Sequence, residues 1–366
     1  MDIEEGLVID DFVLGPRLYA GAMARVHEVN WVEGKAPAGV ARFPMVMKIP
    51  RMTRNDGAEN LVGYEVEMQI MPALQGRHVP RFVAAGDLSQ LPYLVMERIE
   101  GQTLEHLMEA VDGPMPFADA ARLGAALAKA VHSLHMQNVC HMDLKPANVL
   151  MQTDGRAVLL DFGLSCHAHM PDLLAEELRK AVGSPAWMAP EQVVGVRGDA
   201  RSDVFAVGVI LYEMVTGKLP FGAPQTAGGL RQRLWMDPRL PRQLRPDVPD
   251  WLQEVVLRCL EPEAADRYAS AAQLAFDLTH PDQVKVTERG KREVGTGFWV
   301  HFRRWIRAAG REYTPSPLPK QLTENVPIVM VGVPHQDVSD EALDNLRDAV
   351  ARSLGLRPGA RLSCVT

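Results

Sequence analysis

Between positions 141 and 163 the chain carries two short blocks, His141-Met142-Asp143-Leu144-Lys145-Pro146-Ala147-Asn148 and Asp161-Phe162-Gly163. Their side chains can supply a base, a cation that contacts phosphate and two oxygen ligands for a divalent metal. That set, in that order, suits phosphoryl transfer. Such a reaction asks for little covalent chemistry. A hydroxyl must be oriented, a metal held and charge on the equatorial phosphate oxygens neutralised. A lone Asp or Asn in a loop is ordinarily a turn former, but here every one of those tasks has a candidate within two spaced blocks.

The elements around these blocks differ on their two sides. From Asp11 to about Leu94 the pattern is β-rich, with strand character over Phe12 to Leu18, Val26 to Trp31, Pro44 to Ile49 and Tyr93 to Met96. One helical stretch, Asn60 to Leu74, interrupts it. From Thr103 to about Leu278 helical periodicity dominates, as in Ala118 to His135, Ala200 to Thr216 and Pro249 to Cys259, broken by Pro- and Gly-rich turns.

The two blocks resemble the H-R-D-L-x-x-x-N catalytic loop and the D-F-G metal motif of protein kinases. The resemblance implies Asp143 as base, Lys145 as a contact to the γ-phosphate of ATP, and Asn148 and Asp161 as Mg²⁺ ligands. Val46-Met47-Lys48-Ile49 resembles the V-A-I-K strand, so Lys48 would reach the α- and β-phosphates. Glu67 is the expected ion-pair partner of Lys48, because Ile70, Met71 and Leu74 follow it at helical spacing; Glu65 is the nearby alternative. Leu94-Val95-Met96-Glu97-Arg98-Ile99-Glu100-Gly101 looks like the strand and hinge that hold adenine, with Met96 as gatekeeper and the backbones of Glu97 and Ile99 as its contacts.

Leu18 to Val26 departs most from the family. Set against G-x-G-x-x-G-x-V it keeps Gly21 and Val26, while Tyr19 and Ala24 replace two glycines. Glycine there lets backbone N–H groups approach the phosphates, so the expectation is reduced nucleotide affinity, with Leu18, Gly21 and Val26 still as contacts. Downstream, Gly183-Ser184-Pro185-Ala186-Trp187-Met188-Ala189-Pro190-Glu191 resembles the G-T-x-x-Y-x-A-P-E segment that shapes a peptide site. With Lys145-Pro146 it favours a protein hydroxyl over a small molecule as acceptor. Asp203 and Arg267 match structural positions, Arg267 as a buried partner for Glu191.

The resemblance covers about residues 11–280 and is nearest to the bacterial Ser/Thr type. It implies an α+β, bilobal fold for 1–280, with a small lobe over about 11–96 and a large lobe over about 101–280. ATP and Mg²⁺ follow as requirements, a protein as substrate, and self-phosphorylation as an option. The rival expectation is a pseudokinase scaffold that binds nucleotide through the eroded loop.

Composition agrees with a globular chain: 366 residues, 47% hydrophobic, 23% charged and a net charge of −7, which argues against a general nucleic-acid binder. The cysteines at 140, 166, 259 and 364 have no metal or disulfide spacing, and the acidic N-terminus is unlike a signal peptide. A reducing cytoplasm is the expected location.

After Pro281 the composition changes. Residues 281–326 hold Lys285, Arg289, Lys291 and Arg292, then an amphipathic stretch, then a linker stiffened by Pro315, Pro317 and Pro319. In that stretch Phe298, Phe302, Trp305 and Ile306 form a stripe with arginines beside it. A membrane-surface helix is conceivable; a helix packed on the large lobe or its neighbour is the reading preferred. Residues 327–366 read as strand, helix (Asp340 to Leu354) and strand, one βαβ unit. It resembles the opening of a universal stress protein domain, with Pro334-His335 where that family places an Asp and without its Gly-rich phosphate loop. An apolar edge would stay exposed unless it docks on the kinase-like part, pairs between chains or continues in a longer natural protein.

Overall fold

In the small lobe, strands carry the alternation that a half-buried sheet requires, with Phe12 and Leu14 inward and Gly15 and Glu28 meeting across the other face. The computed structural model describes residues 4–21, 24–37, 43–51, 58–87, 91–177, 183–224, 226–295, 298–309, 328–332 and 361–365. The first lobe comprises β1 (Val8–Ile9), β2 (Phe12–Ala20), β3 (Ala24–Trp31), β4 (Met45–Pro50), α1 (Ala58–Ile70), β5 (Phe82–Ala85) and β6 (Leu94–Glu97). Its sheet runs β1-β2-β3-β4-β6-β5, with antiparallel pairing throughout. The sequence pattern had missed β1, which is two residues long, and β5, whose Phe82-Val83-Ala84-Ala85 shows no alternation of burial. The expected helix to Leu74 ends as an α-helix at Ile70 and continues as a single 3₁₀ turn, Met71–Ala73. Pro72 is the cause, since it lacks the N–H that an α-helix needs.

The large lobe adds β7 (Gln102–Thr103), α2 (Leu104–Glu109), α3 (Phe117–His135), β8 (Val139–Cys140), β9 (Val149–Met151), β10 (Ala157–Leu159), β11 (Cys166–His167) and α4 (Leu173–Glu177). It continues with α5 (Pro190–Val193), α6 (Ala200–Thr216), α7 (Ala227–Arg231), α8 (Pro241–Leu244), α9 (Asp250–Cys259) and α10 (Ala271–Thr279). Helix α6 is buried on nearly every side, so its apolar residues need no stripe; it lies between α3 and α9. Asp199 caps its N-terminus and Gly217, at φ 67°, ends it in the left-handed conformation. The main core runs from Tyr64, Ile70 and Leu94 of the small lobe through Phe162 to Leu211 and Leu252. A smaller core, including Phe12, Met47 and Val95, lies on the other face of the sheet.

Residues 284–295 and 298–309 are held on the large lobe. In α11 (Glu288–Lys291), Arg289 bonds Glu254 Oε1 at 2.6 Å and Glu261 Oε1 at 2.8 Å, and Gln253 Nε2 donates to the carbonyls of Gly290 (3.0 Å) and Arg292 (2.8 Å). Helix α12 (Phe298–Ala309) follows, tied to the lobe by Arg304 and His301, both directed at Asp237. No helix among the described residues is long and apolar enough to cross a membrane.

Residues Met1–Ser316 form one compact unit and Pro317–Thr366 another. In the second, β12 (Ile328–Gly332) and β13 (Arg361–Val365) pair in parallel, Ile328 opposite Arg361 and Gly332 opposite Val365. The helix expected between them, Asp340 to Leu354, lies outside the described residues.

Candidate active site

Strand β4 carries Lys48 between the buried Met47 and Ile49, opposite Val26 on β3 and Leu94 on β6. Its ammonium lies 2.6 Å from Glu67 Oε2 and 2.9 Å from Asp161 Oδ1. Of the two glutamates open in the sequence, Glu67 is the one turned inward, at 2% exposure, while Glu65 faces solvent. Tyr64, one turn before it on α1, donates its hydroxyl to the Lys48 carbonyl at 3.1 Å and sets the distance of the helix from the strand. Burial alone would lower the Lys48 pKa, but the Asp161 and Glu67 carboxylates outweigh it and hold the ammonium above its ordinary range. In return Lys48 holds the Asp161 carboxyl down at about 2. Burial pushes Glu67 up against the pull of the same lysine.

The 141–148 loop is clamped from two sides. Asp203 on α6 accepts the His141 N–H at 2.8 Å on Oδ2 and the Met142 N–H at 2.9 Å on Oδ1, and Oδ2 also meets His135 Nε2 at 2.8 Å. From the other side Gln192 Nε2 donates to the Met142 carbonyl at 2.8 Å. Met142 thus has both peptide groups gripped, which sustains a left-handed φ of 67° that a non-glycine residue adopts only at a cost of about 1–2 kcal/mol. The His141 ring bonds the Leu160 carbonyl at 3.0 Å and lies 5.3 Å from the fully buried Phe162 ring, joining the loop to the D-F-G block.

Held this way, the loop brings Asp143, Lys145 and Asn148 together. Asp143 Oδ2 is 3.3 Å from Lys145 Nζ, and Oδ1 accepts the Ser184 N–H at 2.7 Å. Asn148 Nδ2 donates to the Asp143 carbonyl at 2.9 Å, which leaves the amide oxygen as the atom that could ligate a metal. Lys145 also donates to Ser184 Oγ at 3.2 Å. Gly183, at φ 138°, passes so close that a Cβ would meet Asp143 Oδ1 at 3.6 Å and Met188 Cε at 3.3 Å. Asp161 and Asn148 together offer hard oxygen donors, the type Mg²⁺ takes.

Met96 pairs with Val46 on the inner strands and packs on the main core, while Glu97 donates its N–H to the Arg81 carbonyl at 2.9 Å. Ile99 follows beyond the end of β6, half-buried. In the β2–β3 hairpin Leu18 is 44% exposed beside a register irregularity, Val26 faces Tyr19, and Gly21 donates its N–H to the Ala24 carbonyl at 3.0 Å. The Tyr19 ring lies over Gly21, 2.6 Å from where a Cβ would stand.

Several positioning residues had no signal in the sequence. Gln192 is one. Arg197 is another: it bonds Asp172 Oδ2 at 2.7 Å and the Leu164 carbonyl at 2.8 Å, which ties Asp172 to the stretch just after Gly163. Ser165 is 1% exposed and donates to the His141 carbonyl at 3.1 Å. The Glu191–Arg267 pair is bidentate at 2.7 and 2.8 Å and fully interior.

Comparison with known proteins gives one family match, "Protein kinase domain", over residues 42–278. It begins after the β2–β3 hairpin in which the glycines are eroded. Among curated relatives, the Ser/Thr-protein kinase PknB of Mycobacterium leprae is 34% identical over 74% of this chain and 42% of its own length. The Ser/Thr-protein kinase PkaA of Streptomyces coelicolor is 37% identical over 66% of this chain and 43% of its own. The chain therefore spans well under half the length of these relatives. The crystal structure of the Mycobacterium tuberculosis PknI kinase domain, C20A mutant, covers 77% of this chain and all of that one with a TM-score of 0.58 at 21% identity, a likeness of fold.

Proposed function

The chain belongs to the protein kinase domain family, and from that premise we propose that it transfers the γ-phosphoryl group of ATP to serine or threonine hydroxyls of protein substrates. The observation that carries this reading is Lys48 held between Glu67 and Asp161 while Asp143, Lys145 and Asn148 converge on the adjoining loop. Lys48 would hold the α- and β-phosphates, and its raised pKa keeps it cationic across the physiological range. Asp143 would orient the acceptor hydroxyl and take its proton, with Lys145 beside it to meet the γ-phosphate. Asp161 and Asn148 would hold Mg²⁺, which when bound neutralises charge on the phosphate oxygens. The backbone of Glu97 and Ile99, with Met96, Leu18, Gly21 and Val26, would enclose the nucleotide. The Ala189-Pro190-Glu191 segment, pinned by Arg267, supports a peptide as acceptor, and the protein itself is a candidate substrate.

The cytoplasm is the compartment we assign, supported by the buried free cysteines Cys140, Cys166 and Cys259. We also assign the second unit to the opening of a universal-stress-protein-like domain, supported by the parallel pairing of β12 and β13, which suits a βαβ crossover. Stress signalling is the setting this suggests. Deleting 327–366 leaves phosphoryl transfer intact on this reading, and loss of activity in that deletion would count against a separate unit. The main test is incubation with labelled ATP and Mg²⁺, comparing the parent with Asp143→Asn. Label transfer by the parent alone is the expected result. Nucleotide binding without any transfer would favour the scaffold reading, to which the Tyr19 ring over Gly21 lends weight.

A further inference from the structure

Helix α12 is docked with the wrong face outward for a lobe-packed amphipathic helix. Its polar residues make the attachment: Arg304 and His301 both reach Asp237, and Arg304 is 30% and His301 25% exposed at the side chain. The apolar stripe points the other way, with Trp299 72%, Phe302 39%, Trp305 49% and Ile306 54% exposed. Helical spacing puts these four on one arc of about 120°, opposite the His301–Arg304 side. Their rings are mutually arranged, Trp299 against Phe302 at 6.1 Å and Phe302 against Trp305 at 6.0 Å, so the surface is a continuous aromatic ridge. The helix is attached to the large lobe, as the preferred reading had it, and it is attached through its polar side while the stripe stays largely exposed.

Charge decides what such a ridge fits. Between Lys285 and Arg311 the chain carries eight basic residues against two acidic ones, on a protein whose net charge is −7. Arg303 is exposed along one edge of the stripe, and Arg307 stands one turn on from it. Tryptophan prefers the boundary between headgroups and acyl chains, and flanking arginines meet anionic headgroups. A second copy fits less well, because an antiparallel two-fold pairing through this face would set the arginine edges of both helices side by side.

We propose that α12 is a membrane-surface helix: its Trp299–Phe302–Trp305–Ile306 ridge inserts at the interface of an anionic bilayer and holds the large lobe against it without crossing it.

The test uses the full chain with phosphatidylcholine vesicles, with and without phosphatidylglycerol, in a flotation assay. The parent is expected to float with the anionic vesicles and not with phosphatidylcholine alone, and added salt should weaken the binding. Trp299→Ser with Trp305→Ser should lower the bound fraction by about tenfold or more. Both residues are exposed, so the melting temperature should stay at the parent value. Arg303→Glu, a second exposed change, should weaken binding to anionic vesicles as well. Absence of parent binding would overturn the proposal, as would equal binding to both vesicle types or binding indifferent to the tryptophan changes. Self-association in sedimentation velocity that the tryptophan changes abolish would assign the ridge to a second copy instead.

Discussion

Replacing Asp203 by asparagine removes no volume but breaks the clamp beneath the catalytic loop. The carboxylate takes three donors on two oxygens: His141 N and His135 Nε2 on Oδ2, and Met142 N on Oδ1. An amide offers one acceptor oxygen. Turned toward His141 and His135, it sets its NH₂ against the Met142 N–H; turned the other way, it strands the other two. The cheaper orientation orphans one buried N–H, at about 1–3 kcal/mol. It also removes the charge from the remaining bonds, for a total of about 2–4 kcal/mol. Part of that is recovered if Met142 leaves its left-handed conformation, which displaces Asp143. The same loss therefore shows either as a lower urea midpoint or as a lower kcat, by about 30- to 1000-fold if it falls wholly on the loop. Urea unfolding and steady-state phosphorylation of a protein substrate, measured on the same preparation, follow both. The acid limb adds a signature. Burial would raise Asp203, but the His135 bond and its neighbours bring its pKa below the ordinary value. Its contribution is thus fully present above the unfolded pKa of about 4 and is lost as pH falls through the folded value. Asp203→Asn should lose stability less steeply in acid than the parent. An unfolding midpoint equal to the parent's together with a kcat within twofold of it would refute the clamp.

Lys48→Met and Asp161→Asn should each abolish phosphoryl transfer while circular dichroism stays that of the parent, because Glu67 can take a proton once its lysine is gone and Asp161 is 41% exposed. In the parent the Lys48–Asp161 pair stabilises the fold above about pH 4 and is lost as pH falls toward 2, so Lys48→Met should flatten that limb of a stability profile. Tyr19→Gly with Ala24→Gly should tighten ATP binding or raise turnover by clearing the ring from Gly21; calorimetry and kinetics unchanged from the parent would show that the erosion carries no cost. Phosphatase-treated protein should phosphorylate a substrate without a lag, since Ser165 is buried against His141 and Arg197 already ties Asp172 and Leu164; a lag abolished by prior autophosphorylation between residues 164 and 184 would contradict this.

The readable part of this site was the part whose chemistry fixes spacing. Asp143, Lys145 and Asn148, to which we assign the roles of base, phosphate contact and metal ligand, lie on one loop, so their spacing is visible in the sequence. Lys48, Glu67 and Asp161 come from three elements, and only the family pattern linked them. The supports were less legible. Gln192 holds Met142 across fifty positions and Arg197 holds Asp172 across twenty-five. Neither pair has a periodicity to betray it, because a single hydrogen bond constrains one atom and not a face. The same limit explains α12. Periodicity at 3.6 residues reveals that a helix has an apolar side, but it is silent on which side meets the lobe. That is set by one distant carboxylate, Asp237, which draws Arg304 and His301 inward and so turns the tryptophans out. Where an ion pair fixes the rotation of a short helix, the position of its apolar stripe follows from the partner acid, and Asp237→Asn should let the helix roll or detach, quenching the exposure of Trp299 or increasing its mobility.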